Sequence, residues 1–254
     1  MKVRFLGTGT SQGVPVIACN CDVCHSSDEK DKRLRASMLV EVDGLTLVID
    51  AGPDFRQQML KANVKRLSAI LITHEHYDHV AGLDEIRSFN WVQKHATDIY
   101  AEKRVQESVK KVFSYVFDNN KYPGIPQMNL IEIKDKPFFI GKTEIIPVRG
   151  YHHKLPVYGF RIGNFAYMTD VKEIKDAEIE KLKGLKVLVV NALRKQDHLS
   201  HMTLSEALKL VDKVKPEMTY LTHVSHQMGL YSEISKELND GVQFAYDDLE
   251  LVFE

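Results

Sequence analysis

The chain has 254 residues, 44% of them hydrophobic and 27% charged, with a formal net charge of −1. That is the profile of one globular domain, residues 1–254, with a sizeable core. No run approaches the ~20 apolar residues of a membrane span, and bulk nucleic-acid binding, which needs a basic excess, is disfavoured.

Lys2 to Leu6 reads as a strand at the very start, so no leader and a cytoplasmic location are expected. It leads into Gly7-Thr-Gly-Thr-Ser-Gln-Gly13-Val-Pro15. Such a run after a strand can cradle phosphate through backbone N–H groups, or simply turn tightly beside a site. It lacks the lysine of a nucleotide-binding loop. Cys19, Cys21 and Cys24 follow directly and are the only cysteines. Their clustering favours a reducing compartment and metal ligation over a disulfide framework. With three soft ligands in place, the fourth zinc ligand is either local His25 or remote His226. His226 is preferred.

Ser37 to Val42 and Leu45 to Asp50 are β-rich and joined at Asp43-Gly44, a two-residue hairpin signal. Asp50 ends the second strand, where it either orients a ligand imidazole or forms a turn. Asp54 to Ala62 is a predicted helix. Ala69 to Ile72 is an apolar run that suits a buried strand. Polarity then switches: within six residues stand His74, Glu75, His76, Asp78 and His79. Neutral imidazole is the commonest metal ligand among side chains, so a dication is the simplest common partner. His74 and His76 share a side of an extended exit, and Asp78 and His79 diverge from it. That spacing suggests two ions.

Ala81 to Ser88 and Lys103 to Phe117 are predicted helices around a short strand at Ile99 to Ala101. Tyr115 to Pro126 is aromatic, Asn-rich and Pro-rich, a candidate lid or homodimer contact as well as ordinary packing. Strands are predicted at Leu130 to Ile133, Thr143 to Val148, Val157 to Ile162, Phe165 to Thr169, Val187 to Val190, Met218 to Thr222, Val242 to Ala245 and Leu249 to Phe253. Helices are predicted at Lys175 to Lys183, Thr203 to Val214 and Ser232 to Leu238. Strand clusters with helices in both halves suggest an α/β fold of two sheets with helices outside. Three polar residues stand just after apolar strands in this half: His152 (with His153 beside it), Asp170 and His223.

The THEHYDH run at 73–79 resembles the H-x-H-x-D-H signature of the metallo-β-lactamase superfamily. That resemblance implies an αββα sandwich of two mixed sheets with outer helices. It assigns His74, His76 and His152 to one metal, Asp78, His79 and His223 to the other, and Asp170 as the bridge. His152 is preferred over His153 because HHKLPVYGF resembles a family pattern whose first histidine is the ligand. Two dications, two carboxylates and a bridging hydroxide leave a formal +1, which suits a small anionic phosphodiester. All these donors are N or O, so manganese, zinc or iron fits.

The Gly-Thr-Gly-Thr-Ser opening, CNCDVC, HHKLPV, Asp170 and THVSH narrow the resemblance to the phosphoribosyl 1,2-cyclic phosphate phosphodiesterases of the carbon–phosphorus lyase pathway. This family implies two catalytic metals, a separate structural zinc on Cys19, Cys21, Cys24 and His226, and His201 as general acid, with His198 its competitor. Asp78 and His201 are thus the candidate catalytic residues. The alternatives are a ribonuclease Z-type endonuclease acting on tRNA, a thioesterase or lactonase, and a non-catalytic metal-binding scaffold.

Overall fold

The computed structural model describes residues 1–118 and 122–253. Among the described residues, fourteen strands form two mixed seven-stranded sheets, and the expected α/β class with two mixed sheets is what the chain adopts. The chain divides into two compact units, each built around one sheet.

Unit 1 comprises residues 1–6, 37–134 and 250–254. Its sheet runs β14 (Glu250–Val252), β1 (Lys2–Gly7), β2 (Ser37–Val42), β3 (Leu45–Ile49), β4 (Ala69–Leu71), β5 (Thr97–Ala101) and β6 (Met128–Glu132). From β3 to β6 the neighbours are parallel. The β2–β3 hairpin turns on Asp43 and Gly44, both at positive φ (52° and 78°), as a primed two-residue turn requires. Strand β4 is buried throughout, which explains its unbroken apolar sequence. Val48, Ile70 and Ile99 pack with Phe55, Leu83 and Val105 of the covering helices.

Two helix predictions in this unit differ from the structure. Residues 81–88 form a 3₁₀ segment, Ala81–Ile86, that hands over to an α-helix at Arg87–Gln93. Here Gly82 lies so close to the Ala51–Gly52 backbone that a Cβ would stand 2.1 Å from the Gly52 carbonyl oxygen, and the tighter winding accommodates that approach. The helix expected at 103–117 spans Lys103–Val112, breaks at Phe113 (φ −109°, ψ 42°) and resumes as Ser114–Phe117. Burial of Phe113 and Val116 in the core accounts for the break. The aromatic stretch from Tyr115 to Pro126 lies partly outside the described residues.

Unit 2 comprises residues 7–36 and 135–249. Its sheet runs β13 (Val242–Phe244), β12 (Met218–Thr222), β11 (Val187–Asn191), β10 (Phe165–Met168), β9 (Leu155–Ile162), β8 (Thr143–His152) and β7 (Phe138–Ile140). Strands β7 to β10 pair antiparallel and β10 to β13 parallel. Its core joins Val148, Val157, Met168, Leu188 and Leu221 to Ala207 and Leu210, the latter two on the helix Leu204–Val214. That helix starts with a capping box between Thr203 and Glu206, which satisfies otherwise orphaned N–H groups. Residues 175–183 make only a short helix, Asp176–Ile179, and a 3₁₀ turn.

Strand β8 continues four residues beyond the predicted Val148. Gly150 looks like a breaker in the sequence, yet β8 stays paired with β9 as far as His152 opposite Leu155. A Cβ on Gly150 would meet Val171 Cγ1 at 2.5 Å. Only glycine therefore lets the 171–173 segment close onto β8, where Tyr151 and Glu173 form a bridge.

Candidate metal centres

In unit 1 the site begins with Asp50, which follows β3 in left-handed backbone (φ 65°). Its buried carboxylate accepts from the Thr73 N–H (2.8 Å) and the Thr73 hydroxyl (2.8 Å), and meets His79 Nδ1 at 2.7 Å. Burial pushes the Asp50 carboxyl above its ordinary range, while the charge and hydrogen bond of His79 and the Thr73 donors pull it back. Occupying Nδ1 leaves Nε2 as the ligand atom of His79, and fixes the plane of the ring. Asp78 Oδ2 stands 3.2 Å from that Nε2. His74 Nε2 lies 3.0 Å from His76 Nδ1, and the His74 and His79 rings are 4.2 Å apart. His74 with His76, and Asp78 with His79, thus pair at separations that suit metal ligation, and the His74 and His79 rings are neighbours. Glu75 points elsewhere, to Arg104.

In unit 2 the donors come from four places. His152 ends β8 and is buried, while His153 turns outward at positive φ (56°) and is exposed. Asp170 follows β10 and His223 follows β12, both buried and both left-handed (φ 56° and 55°). Asp170 Oδ1 is 3.1 Å from His223 Nε2 and 3.6 Å from His201 Nδ1. Ligand atoms of His152, Asp170 and His201 lie within 4.8 Å of one another. The His201 ring stacks on His223, with centroids 4.7 Å apart, and meets His152 edge-on at 4.4 Å. His198, the competitor, is half-buried with its ring 5.1 Å from His201. Burial first, then the neighbouring imidazoles, pushes His201 down to about 2, against the pull of Asp170. Burial thus favours the neutral imidazole of His201, a form able to ligate or to donate one N–H.

The sequence reading missed what holds this cluster. Asn191, the last residue of β11, clasps the residue after Asp170 by both backbone groups: Oδ1 accepts from Val171 N–H (2.8 Å) and Nδ2 donates to its carbonyl (3.0 Å). The Thr169 hydroxyl donates to Asp170 Oδ2 at 2.6 Å. Met202 N–H donates to the Val171 carbonyl at 3.0 Å, which carries His201 to the same corner. The available signal was a buried amide ending the apolar run Val187-Leu-Val-Val190.

The cysteine cluster is a separate group within unit 2. Cys19, Cys21 and Cys24 Sγ stand 3.3, 3.3 and 3.6 Å from one atom, His226 Nδ1. One nitrogen cannot share a proton with three sulfurs at once, so the convergence describes a common centre rather than three hydrogen bonds. A tetrahedron with metal–sulfur distances of ~2.3 Å and metal–nitrogen distances of ~2.0–2.1 Å has S···N edges of about 3.5 Å. The four residues fit zinc on that ground; His25 is not in the group. The Cys24 backbone N–H, with His226, pulls the Cys21 thiol down to about 6, and burial pushes Cys24 up to about 11. His223 and His226 share one short segment, tied by Val224 N–H to the Thr8 carbonyl (2.9 Å) and by Ser225 N–H to the Leu193 carbonyl (3.0 Å).

Residues 46–224 match the beta-lactamase superfamily domain. The chain is similar throughout to the crystal structure of a new diphosphatase from the PhnP family, 39% identical with a TM-score of 0.93, covering 100% of this chain and 98% of that one. An octanoyltransferase of Porphyromonas gingivalis is 41% identical over 100% of this chain and 52% of its own length. A ribonuclease Z of an Exiguobacterium species is 26% identical over 64% of this chain and 48% of its own. The chain thus spans about half the length of these curated relatives. Zinc-bound PqqB from Methylobacterium extorquens shares the fold, at 18% identity and a TM-score of 0.82. The chain belongs to the metallo-β-lactamase superfamily of hydrolases and, within it, to the PhnP family.

Proposed function

We propose that the protein is a metal-dependent phosphodiesterase that hydrolyses a small cyclic phosphate, of the phosphoribosyl 1,2-cyclic phosphate type. The observation that carries this reading is Asp170, a buried carboxylate flanked by two imidazoles, His223 at 3.1 Å and His201 at 3.6 Å. By the family's ligand order, His74, His76 and His152 would hold one ion and Asp78, His79 and His223 the other, with Asp170 a candidate ligand for both. Manganese or zinc suits this N and O set, and zinc suits the thiolate site. When bound, the catalytic ions would supply Lewis acidity and lower the pKa of a water.

The chain's own residues do the rest. Asp50 keeps His79 in one tautomer, and Thr169 with Asn191 keeps Asp170 in place. His201 is the candidate general acid for the leaving sugar oxygen. Its burial favours the neutral ring, and the negative charge of a bound phosphodiester raises its affinity for the proton it would deliver. The thiol-rich zinc site suits a reducing, cytoplasmic setting. Among the described residues, no helix is long and apolar enough to cross a membrane.

The test compares ribose cyclic phosphate, an aryl phosphodiester, pre-tRNA and a thioester as substrates, alongside metal analysis. Metal analysis should find about three ions per chain, and turnover should favour the ribose cyclic phosphate. Turnover of pre-tRNA alone would favour the ribonuclease Z reading, and turnover of the thioester alone an acyl hydrolase. A diphosphate substrate belongs in the panel because the diphosphatase similar to this chain is 39% identical.

A further inference from the structure

Lys172 stands two residues after Asp170 and is anchored at both its backbone and its side chain. Its backbone N–H donates to the Tyr151 carbonyl (2.8 Å), one residue before His152, which fixes it to the end of β8. Its side chain reaches the loop that carries His198 and His201. Nζ donates to Asp197 Oδ1 (3.1 Å) and to both carboxylate oxygens of Glu206 (2.9 Å each). The hydrogen bond from Lys172 holds the Asp197 carboxyl below its ordinary range.

The loop is closed at its base by backbone bonds, Leu193 N–H to the Met202 carbonyl (2.9 Å) and Leu204 N–H to the Arg194 carbonyl (3.0 Å). Those bonds fix the ends and not the span between them. Within the span, Arg194 donates to the Asp197 carbonyl (2.7 Å) and the Gln196 carbonyl (3.3 Å), so these contacts move with the loop. Lys172 adds an anchor from outside it, on the segment that bears Asp170. Its second partner, Glu206, belongs to the capping box, where Oε2 accepts the Thr203 N–H at 2.8 Å. One ammonium thus ties Asp197 on one side of His201 to the helix start on the other. The Asp197 side chain is 91% exposed, so this arm adds little to global stability. Its effect is local, on where the loop lies.

We propose that Lys172 is a positioning residue, which holds the His201 loop against the Asp170 segment so that the imidazole can protonate the leaving sugar oxygen. In that step a water gives up a proton and bonds to phosphorus, the bond from phosphorus to the sugar oxygen breaks, and the proton on the His201 ring passes to that oxygen. The inference rests on the phosphodiesterase reading and gives Lys172 no contact with substrate. A displaced proton donor loses rate steeply, so loss of the tether is felt at proton transfer and not in binding.

The experiment compares metal-replete wild type with Lys172→Met, Lys172→Arg, Asp197→Asn and the Lys172→Met/Asp197→Asn pair. Two substrates are used: a ribose cyclic phosphate, whose sugar oxygen needs a proton to leave, and bis(4-nitrophenyl) phosphate, whose nitrophenolate leaves unaided. Lys172→Met should lower kcat for the ribose cyclic phosphate about tenfold, with KM and metal content unchanged, and should leave the aryl substrate near wild type. Lys172→Arg should recover most of the loss. Asp197→Asn should show the same substrate dependence, and the pair should be no worse than Lys172→Met alone. Hydrogen exchange in peptides spanning residues 193–204 should quicken in Lys172→Met. Equal losses on both substrates, or unchanged exchange in that loop, overturns the proposal. If Lys172→Met does not fold, Asp197→Asn decides, because its carboxylate lies at the surface. If wild type cleaves neither phosphodiester, the phosphodiesterase reading falls on that result, while the exchange comparison still tests the tether.

Discussion

The two groups of histidines and carboxylates are built in opposite ways. In unit 1 four donors sit in six consecutive residues, and one buried carboxylate, Asp50, braces them through His79 and Thr73. In unit 2 the donors are spread from residue 152 to residue 223, and their meeting depends on β8, β10, β11 and β12 lying in register. A local site survives small shifts of the sheet because chain connectivity limits its spread. A dispersed site needs explicit clasps, and Asn191, Gly150 and Thr169 supply them. The cysteine site mixes both plans, with three local thiols and one remote imidazole.

The contrast predicts a graded series of losses. Asp170→Asn strikes the hub of the dispersed group and should lower kcat/KM by about 10³-fold or more, several kcal/mol of charge stabilisation. Metal analysis should show reduced occupancy in the same variant. His201→Ala should cost about 10²-fold with a poor leaving group and much less with an aryl one, while all metals stay bound. Loss of metal instead would make His201 a ligand and enlarge the dispersed group by one.

Asp50→Asn keeps the shape of the brace but not its charge, and should cost about tenfold in metal affinity or activity. If it matched Asp170→Asn in severity, the supposed robustness of the local group would be wrong. Thr203→Ala removes the capping box beneath His201 and should cost about 1 kcal/mol of stability, read as a fall in the denaturation midpoint. Activity falling more than stability there would mean that the helix start also positions His201.

The legible parts of the molecule were those with short-range signals. The THEHYDH run, the Asp43-Gly44 turn, the capped helix at 204–214 and the cysteine cluster all rest on neighbours in sequence. The extension of β8 to His152 was hidden because Gly150 looks like a breaker, and only the approach of Val171 explains the glycine. Asn191 escaped notice for a related reason: a single amide after an apolar run has many uses, and its partner lies 20 residues away. Choosing His152 over His153 rested on resemblance. The structure adds a physical distinction, since one side chain is buried beside His201 and the other faces outward.

Asp50, Asp170 and His223 each leave their strands with φ between 55° and 65°, a backbone shape that disfavours side chains other than glycine by roughly 1 kcal/mol apiece. Glycine at any of these corners would relax the local chain while deleting a donor or its brace. Variants that outlast the parent on heating yet do no chemistry are the expected signature. Such a thermometer-only screen would trace the outline of the reactive centre before any substrate had been found.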